Sequence, residues 1–208
     1  ALTDITSGAG NTALGREAAM NVTSGDDNVA IGKLSLATAN TPSNNVAIGN
    51  EALRLTNTGG SNVGVGRESG YSGTTHSGSV YLGEQAGYSV TTGNQNIAIG
   101  HNAINGGTVT GDNNIAIGVD AGDNLTSGYD NVLVGEDAGG TINTGYKNTV
   151  FGSNAGASIT DALQNTFVGQ ITGQNSTIGR YNTAVGAAAL NKEDVGNGSV
   201  ALGYAALY

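Results

Sequence analysis

His76 and His101 are the only histidines, and the chain has no cysteine, so these two rings are where a general base or a zinc ligand would be sought. They stand far apart in sequence, in dissimilar contexts and without a repeated carboxylate partner, which supports neither a triad nor a zinc site; both read as solvated loop histidines. Asp26, Asp27, Asp112, Asp120, Asp123, Asp130 and Asp137 raise the question of calcium. Their spacing matches neither the EF-hand loop nor the nine-residue Gly/Asp rhythm of calcium β-rolls, and they read as turn acids that keep a surface soluble. Tyr71, Tyr88, Tyr129 and Tyr146 are the candidate ligand-binding residues, as exposed aromatics able to stack on sugar rings. The competing reading is that these rings cover a turn or a subunit seam. Glycine-rich strings recur without the lysine and spacing of a phosphate loop. No catalytic residue, metal site or cofactor is expected, and the chain reads as non-enzymatic.

Any element that positions such residues has to be built from unusual material. Of 208 residues 36 are glycine, about 17% against a usual ~7%, and charged residues make up 11% against a usual ~25%. One proline and regularly placed Val, Ile and Thr argue for order, where disorder would favour proline and high charge. Two phenylalanines, one methionine and no tryptophan exclude a broad globular core, so the core must be thin and repetitive. A net charge of −9 argues against nucleic acid or an anionic membrane as partner. No apolar run is long enough to span a membrane, and no signal-peptide pattern opens the sequence. The chain begins and ends close to a repeat boundary, so it reads as an excised fragment.

The pattern Asn-x-apolar-apolar-Gly recurs from one end to the other. Its glycines are Gly15, Gly32, Gly49, Gly66, Gly83, Gly100, Gly118, Gly135, Gly152, Gly169, Gly186 and Gly203, spaced by 17 except for one step of 18 between Gly100 and Gly118. Four residues before each glycine stands asparagine, replaced only by Ser79 and Ser199; the residue before each glycine is always apolar, and the third residue after it is always Ala, Ser or Thr. Another glycine, such as Gly25 or Gly128, usually precedes the asparagine by three. Tyr71 and Tyr88 share one phase of this repeat, and Tyr129 and Tyr146 another.

A 17-residue unit cannot bury its own apolar face, so its Val and Ile must be covered by neighbouring coils. The expected architecture is all-β: a parallel β-roll or β-solenoid of about twelve coils, one repeat domain over residues 1–208, each strand pairing in parallel about 4.8 Å from the next. Twelve coils would make a rod of roughly 55 Å. The aligned asparagines are expected to form a side-chain ladder. Strand side chains alternate, and we expect the columns of Val29 and Ile31 to fill the roll. The column between them, with Ala30 but also Tyr81, Leu133, Val150 and Phe167, would then pack on another chain.

The string Asn45-Val46-Ala47-Ile48-Gly49-Asn50-Glu51-Ala52-Leu53 resembles the head repeats of YadA-like trimeric autotransporter adhesins, over essentially the whole chain. The 17-residue spacing, with Asn182–Gly186 and Leu202–Tyr208, resembles still more the variant in phage tail fibres and chimeric bacterial surface fibres. The resemblance implies a left-handed roll, a homotrimer, exposure on a cell or virion surface, and no catalytic residues. The function it implies is an adhesin or receptor-binding fibre segment that attaches to a host or target cell through a surface glycan or protein receptor. A purely structural spacer carrying a separate tip is the alternative, and an ice-binding solenoid a third, opposed by the want of a Thr-x-Thr array.

Overall fold

The computed structural model describes residues 6–175, 177–192 and 196–208. It is all-β: twelve three-residue strands, one per coil, join in a single parallel sheet in sequence order, a β-solenoid of about eleven turns. The strands are β1 Thr12–Leu14, β2 Val29–Ile31, β3 Val46–Ile48, β4 Val63–Val65, β5 Val80–Leu82, β6 Ile97–Ile99, β7 Ile115–Ile117, β8 Val132–Val134, β9 Thr149–Phe151, β10 Thr166–Val168, β11 Thr183–Val185 and β12 Val200–Leu202. Register follows the repeat throughout: Val29 lies on Val46, Ala30 on Ala47 and Ile31 on Ile48. The 18-residue coil keeps it too, with Ile97 on Ile115, because its extra residue is absorbed in the turn before Val109, which bridges Val90.

Which face points inward is the reverse of the expectation. The strand centres are buried, from Ala30 and Ala47 to Tyr81, Leu133, Val150 and Phe167, whereas Val29, Ile31 and their equivalents face outward and are half-buried or exposed. The asparagine sets this parity. Its side chain is buried in the ladder, and alternation then turns the residue after it outward, the strand centre inward and the last strand residue outward. The interior is narrow, so a strand centre meets the small column opposite, Ala18, Ser35, Ala52 and onward, with no room for two large columns.

Inside that width, side-chain size alternates between two positions. In four coils whose strand centre is alanine, the fourth residue after the repeat glycine is large: Ala30 with Leu36, Ala47 with Leu53, Ala98 with Ile104, Ala184 with Leu190; Ala13 with Ala19 and Ala116 with Gly122 depart from this. Where the strand centre is large, that residue is glycine: Tyr81 with Gly87, Leu133 with Gly139, Val150 with Gly156, Phe167 with Gly173. The exchange is steric, since a Cβ on Gly87 would lie 2.2 Å from Tyr81 Cδ1 and one on Gly173 would lie 2.6 Å from Phe167 Cε2. At the change of pattern both positions are glycine: Gly64 and Gly70 are overlain by Leu53 from one side, and Gly70 by Tyr81 from the other. The backbone at this fourth position is left-handed in every case, φ 51° at Leu36 and 64° at Gly87. Ile104 holds φ 51° there despite its branched Cβ, a conformation that packing must enforce.

The asparagine ladder forms as expected. Asn114 Oδ1 accepts from Asn131 N at 3.2 Å and from Asn131 Nδ2 at 3.0 Å, while Asn114 Nδ2 donates to Asn96 Oδ1 at 3.1 Å and to Gly128 O in the next coil at 2.9 Å. Each amide therefore ties a strand to the turn on its other side, which is how a polar group is tolerated at 0% exposure. Ser79 keeps only the backbone part, accepting from Asn96 N at 3.2 Å.

The same coil departs from the repeat a second time at His76. Expected in a solvated loop, this ring lies inside the roll with no exposure. It occupies the column of Gly25, Gly59 and Gly93, and fits because Gly73 stands where other coils carry Val22, Val90 or Leu125; a Cβ on Gly73 would lie 1.8 Å from His76 Cε1. His101 is exposed, as expected.

Candidate binding surface

The four tyrosines form two pairs on different corners of the coil. Tyr71 and Tyr88 stack with centroids 4.9 Å apart and planes at 7°; Tyr129 and Tyr146 stack at 4.7 Å and 5°. Both separations are one coil spacing, so the repeat itself creates the stacks. In the first pair the remaining face of Tyr71 is covered by Arg54, whose guanidinium carbon lies 5.7 Å from the ring centre. Arg54 is held there by Glu51 Oε2 at 2.8 Å and by the Tyr71 hydroxyl at 3.1 Å. Burial pushes the Tyr88 phenol up, with help from Tyr71, Glu68 and Glu51. Arg67 bridges Glu68 and Glu84 across the neighbouring coils, and its hydrogen bond holds the Glu84 carboxyl below its usual range. At this corner the ring face and most of the charged groups are already engaged with one another, although Arg54 Nε is buried without a partner among the described residues.

The Tyr129–Tyr146 corner differs. Six residues before each repeat glycine, successive coils place Gly60, Ser77, Asn94, Asp112, Tyr129, Tyr146, Leu163 and Arg180 in one column along the rod. Where that column is small, a groove of about 610 Å³ opens, lined by Gly60, Ser61, Ser77, Gly78, Asn94, Gln95 and Asp112. Its backbone is pinned by its own side chains: Ser77 Oγ accepts from Gly60 N, Asn94 Oδ1 from Ser77 N, and Asp112 Oδ1 from Asn94 N at 2.6 Å. A second, smaller groove of about 430 Å³ lies further along this corner, between Asp161, Ile178, Arg180 and Asn197. The sequence reading missed both grooves. The signal for the first was a run of short side chains in one column, ended by an aromatic.

Among the described residues no group of three His, Cys, Asp or Glu is arranged to hold a metal ion. Asp120, Asp123 and Asp137 do come near one another: burial first, then mutual repulsion, raises the pKa of Asp123 and Asp137. No helix is long and apolar enough to cross a membrane among those residues. The interior of the Ser79 coil is a second polar locus. His76 and Tyr81 lie 5.5 Å apart, centre to centre, and both ring nitrogens, the Tyr81 hydroxyl and the nearby Thr56 hydroxyl make no hydrogen bond among the described residues. Burial lowers the His76 pKa to about 4 and raises that of Tyr81, the Ser79 hydroxyl opposing the latter electrostatically although it lies outside hydrogen-bond geometry.

No protein-family model, curated protein or solved structure matches the chain.

Proposed function

We propose that the chain is a non-enzymatic segment of an extracellular fibre, on a bacterial surface or a virion, that attaches to a host or target cell and works as a homotrimer. The observation that carries this is the outward face of the sheet. Val, Ile, Leu, Phe and Thr fill both outward columns of all twelve strands, with Ile48 37%, Phe151 55% and Leu202 66% exposed. Eleven spacings of ~4.8 Å make this strip about 53 Å long, and a continuous apolar strip of that size is atypical of a monomer surface. A cyclic assembly covers it by turning the strips of all copies toward one axis. The resemblance of the repeat to trimeric adhesin heads supplies the number three and the left-handed sense. A smooth, regular rod also suits a spacer that holds a tip away from its base, and the uniform coils, with one single-residue insertion, favour that reading as the second one.

Light scattering tests the assembly. A solution mass near three times 20.5 kDa is expected, and a single-chain mass would overturn the trimer. Binding of the fragment to candidate target cells separates the two roles, because a spacer binds none.

A further inference from the structure

We propose that the groove over Gly60, Ser77, Asn94 and Asp112, with Tyr129 next in the same column, binds a neutral oligosaccharide lying along the rod axis. This rests on the reading of the chain as an attachment fibre and names the chemistry of its receptor. Three features of the site lead to it.

The first is the ring. Tyr129 is 39% exposed, and its stack with Tyr146, one coil further on, covers a single face. Tyr129 follows Asp112, a lining residue of the groove, by one coil in the same column. Of the two stacked pairs, this one stands next to the groove in its column, whereas in the other Arg54 covers Tyr71. An aromatic face beside polar groups suits the apolar C–H face and hydroxyl rim of a pyranose.

The second is the supply of hydrogen-bonding groups. Ladder bonds use Asp112 Oδ1, Asn94 Oδ1 and Ser77 Oγ as acceptors. The second oxygen of Asp112 and the exposed amide of Gln95 have no partner among the described residues. The lining positions recur once per coil, about 4.8 Å apart, a spacing comparable to the rise of one sugar unit, so a chain of three or four units lying along them passes both Gln95 and Asp112.

The third is charge. The lining holds Asp112 and neither Lys nor Arg, on a chain of net charge −9. Sialylated, sulfated or phosphorylated glycans are repelled by that field, leaving neutral sugars.

The test is saturation-transfer NMR on the whole 208-residue chain in its native assembly, with neutral gluco-, galacto- and N-acetylglucosamine-configured tetrasaccharides at millimolar concentration. Transfer to at least one of them is expected, together with loss of transfer for an anionic counterpart. Tyr129→Ala, and Gln95→Tyr, which projects a ring into the groove at a left-handed position where Tyr181 already holds φ 60°, should each weaken binding at least about tenfold. Tyr88→Ala should leave it unchanged. Circular dichroism and solution mass confirm that each variant is folded and assembled. Absence of transfer from every neutral sugar, or binding indifferent to both groove variants, overturns the proposal. Cell binding without sugar binding would remove the saccharide site and leave the attachment fibre standing, whereas a monomer that binds neither would remove both.

Discussion

Acid should weaken this rod through one residue. His76 is fully enclosed, its two nitrogens lack partners, and burial lowers its pKa from 6.5 to about 4. The ring packs against the neutral Tyr81 and over Gly73, and no charged side chain contributes to its shift. Above pH 6.5 His76 is neutral in both folded and unfolded chains, and stability is at its full value. Between 6.5 and about 4 the unfolded chain takes up a proton that the folded chain refuses, so stability falls by about 1.4 kcal/mol per pH unit. The total, roughly 3 kcal/mol by pH 4, is a large fraction of the stability of an ordinary domain. Asp123 and Asp137, whose pKa values are raised, act in the opposite sense, folding being favoured as they protonate. Comparison with His76→Leu cancels them. Denaturant unfolding at pH 7.5, 5.5 and 4.5 should show wild type losing about 2.5 kcal/mol more than the variant across the range, and the His76 ring protons should show no titration in the folded protein above pH 5. Equal pH dependence in the two proteins, or a His76 titration near 6.5, would refute the reasoning.

Other outcomes follow from the packing. Exchanging the sizes inside one coil, Tyr81→Ala with Gly87→Leu, reproduces the Ala47 and Leu53 arrangement; each single change should cost about 2–4 kcal/mol and the pair appreciably less than their sum, read by thermal unfolding. Gly87→Ala alone, which puts a Cβ 2.2 Å from Tyr81, should lower Tm well below Gly198→Ala, whose Cβ meets nothing within 4 Å although φ is positive at both sites. Asn114→Ala removes the acceptor for Asn131 and the donor to Gly128 O, and should cost about 2–4 kcal/mol, with Asn114→Ser recovering part of the loss as Ser79 does in its own coil. Ile48→Asp, on the exposed strip, should leave the circular dichroism of the roll intact and reduce the solution mass toward that of one chain.

Much of this fold was written in the order of residues, because a solenoid repeats one set of constraints and each column can be read twelve times. The 17-residue period gives parallel in-register stacking; the invariant glycine gives a corner where φ lies near 130°; the asparagine gives the ladder. The single 18-residue step changed no register, since an extra residue in a turn leaves strand pairing untouched.

The inward face was harder to read. A strand such as Val46-Ala47-Ile48 is apolar at every position, so alternation alone allows either parity, and the larger residues were assigned to the core. The asparagine held the missing information, because a ladder enclosed on both sides fixes its own side chain inward and with it Ala47 two residues on. For the tyrosines, the shared phase put each pair in one column, but did not show that the rings would stack, that Arg54 would close one ring face, or that a run of Gly60, Ser77 and Asn94 would open a groove in the column of the other pair.

What the sequence determined by itself is therefore everything that depends on period: coil length, strand register, the glycine corner and the asparagine column. What only the tertiary structure decided depends on contacts between different columns. The burial of His76 required Gly73 to vacate its place, and the size exchange between strand centre and turn required a roll too narrow for two large side chains. Those are distances across the coil, and a one-dimensional repeat does not record them until the chain has closed on itself.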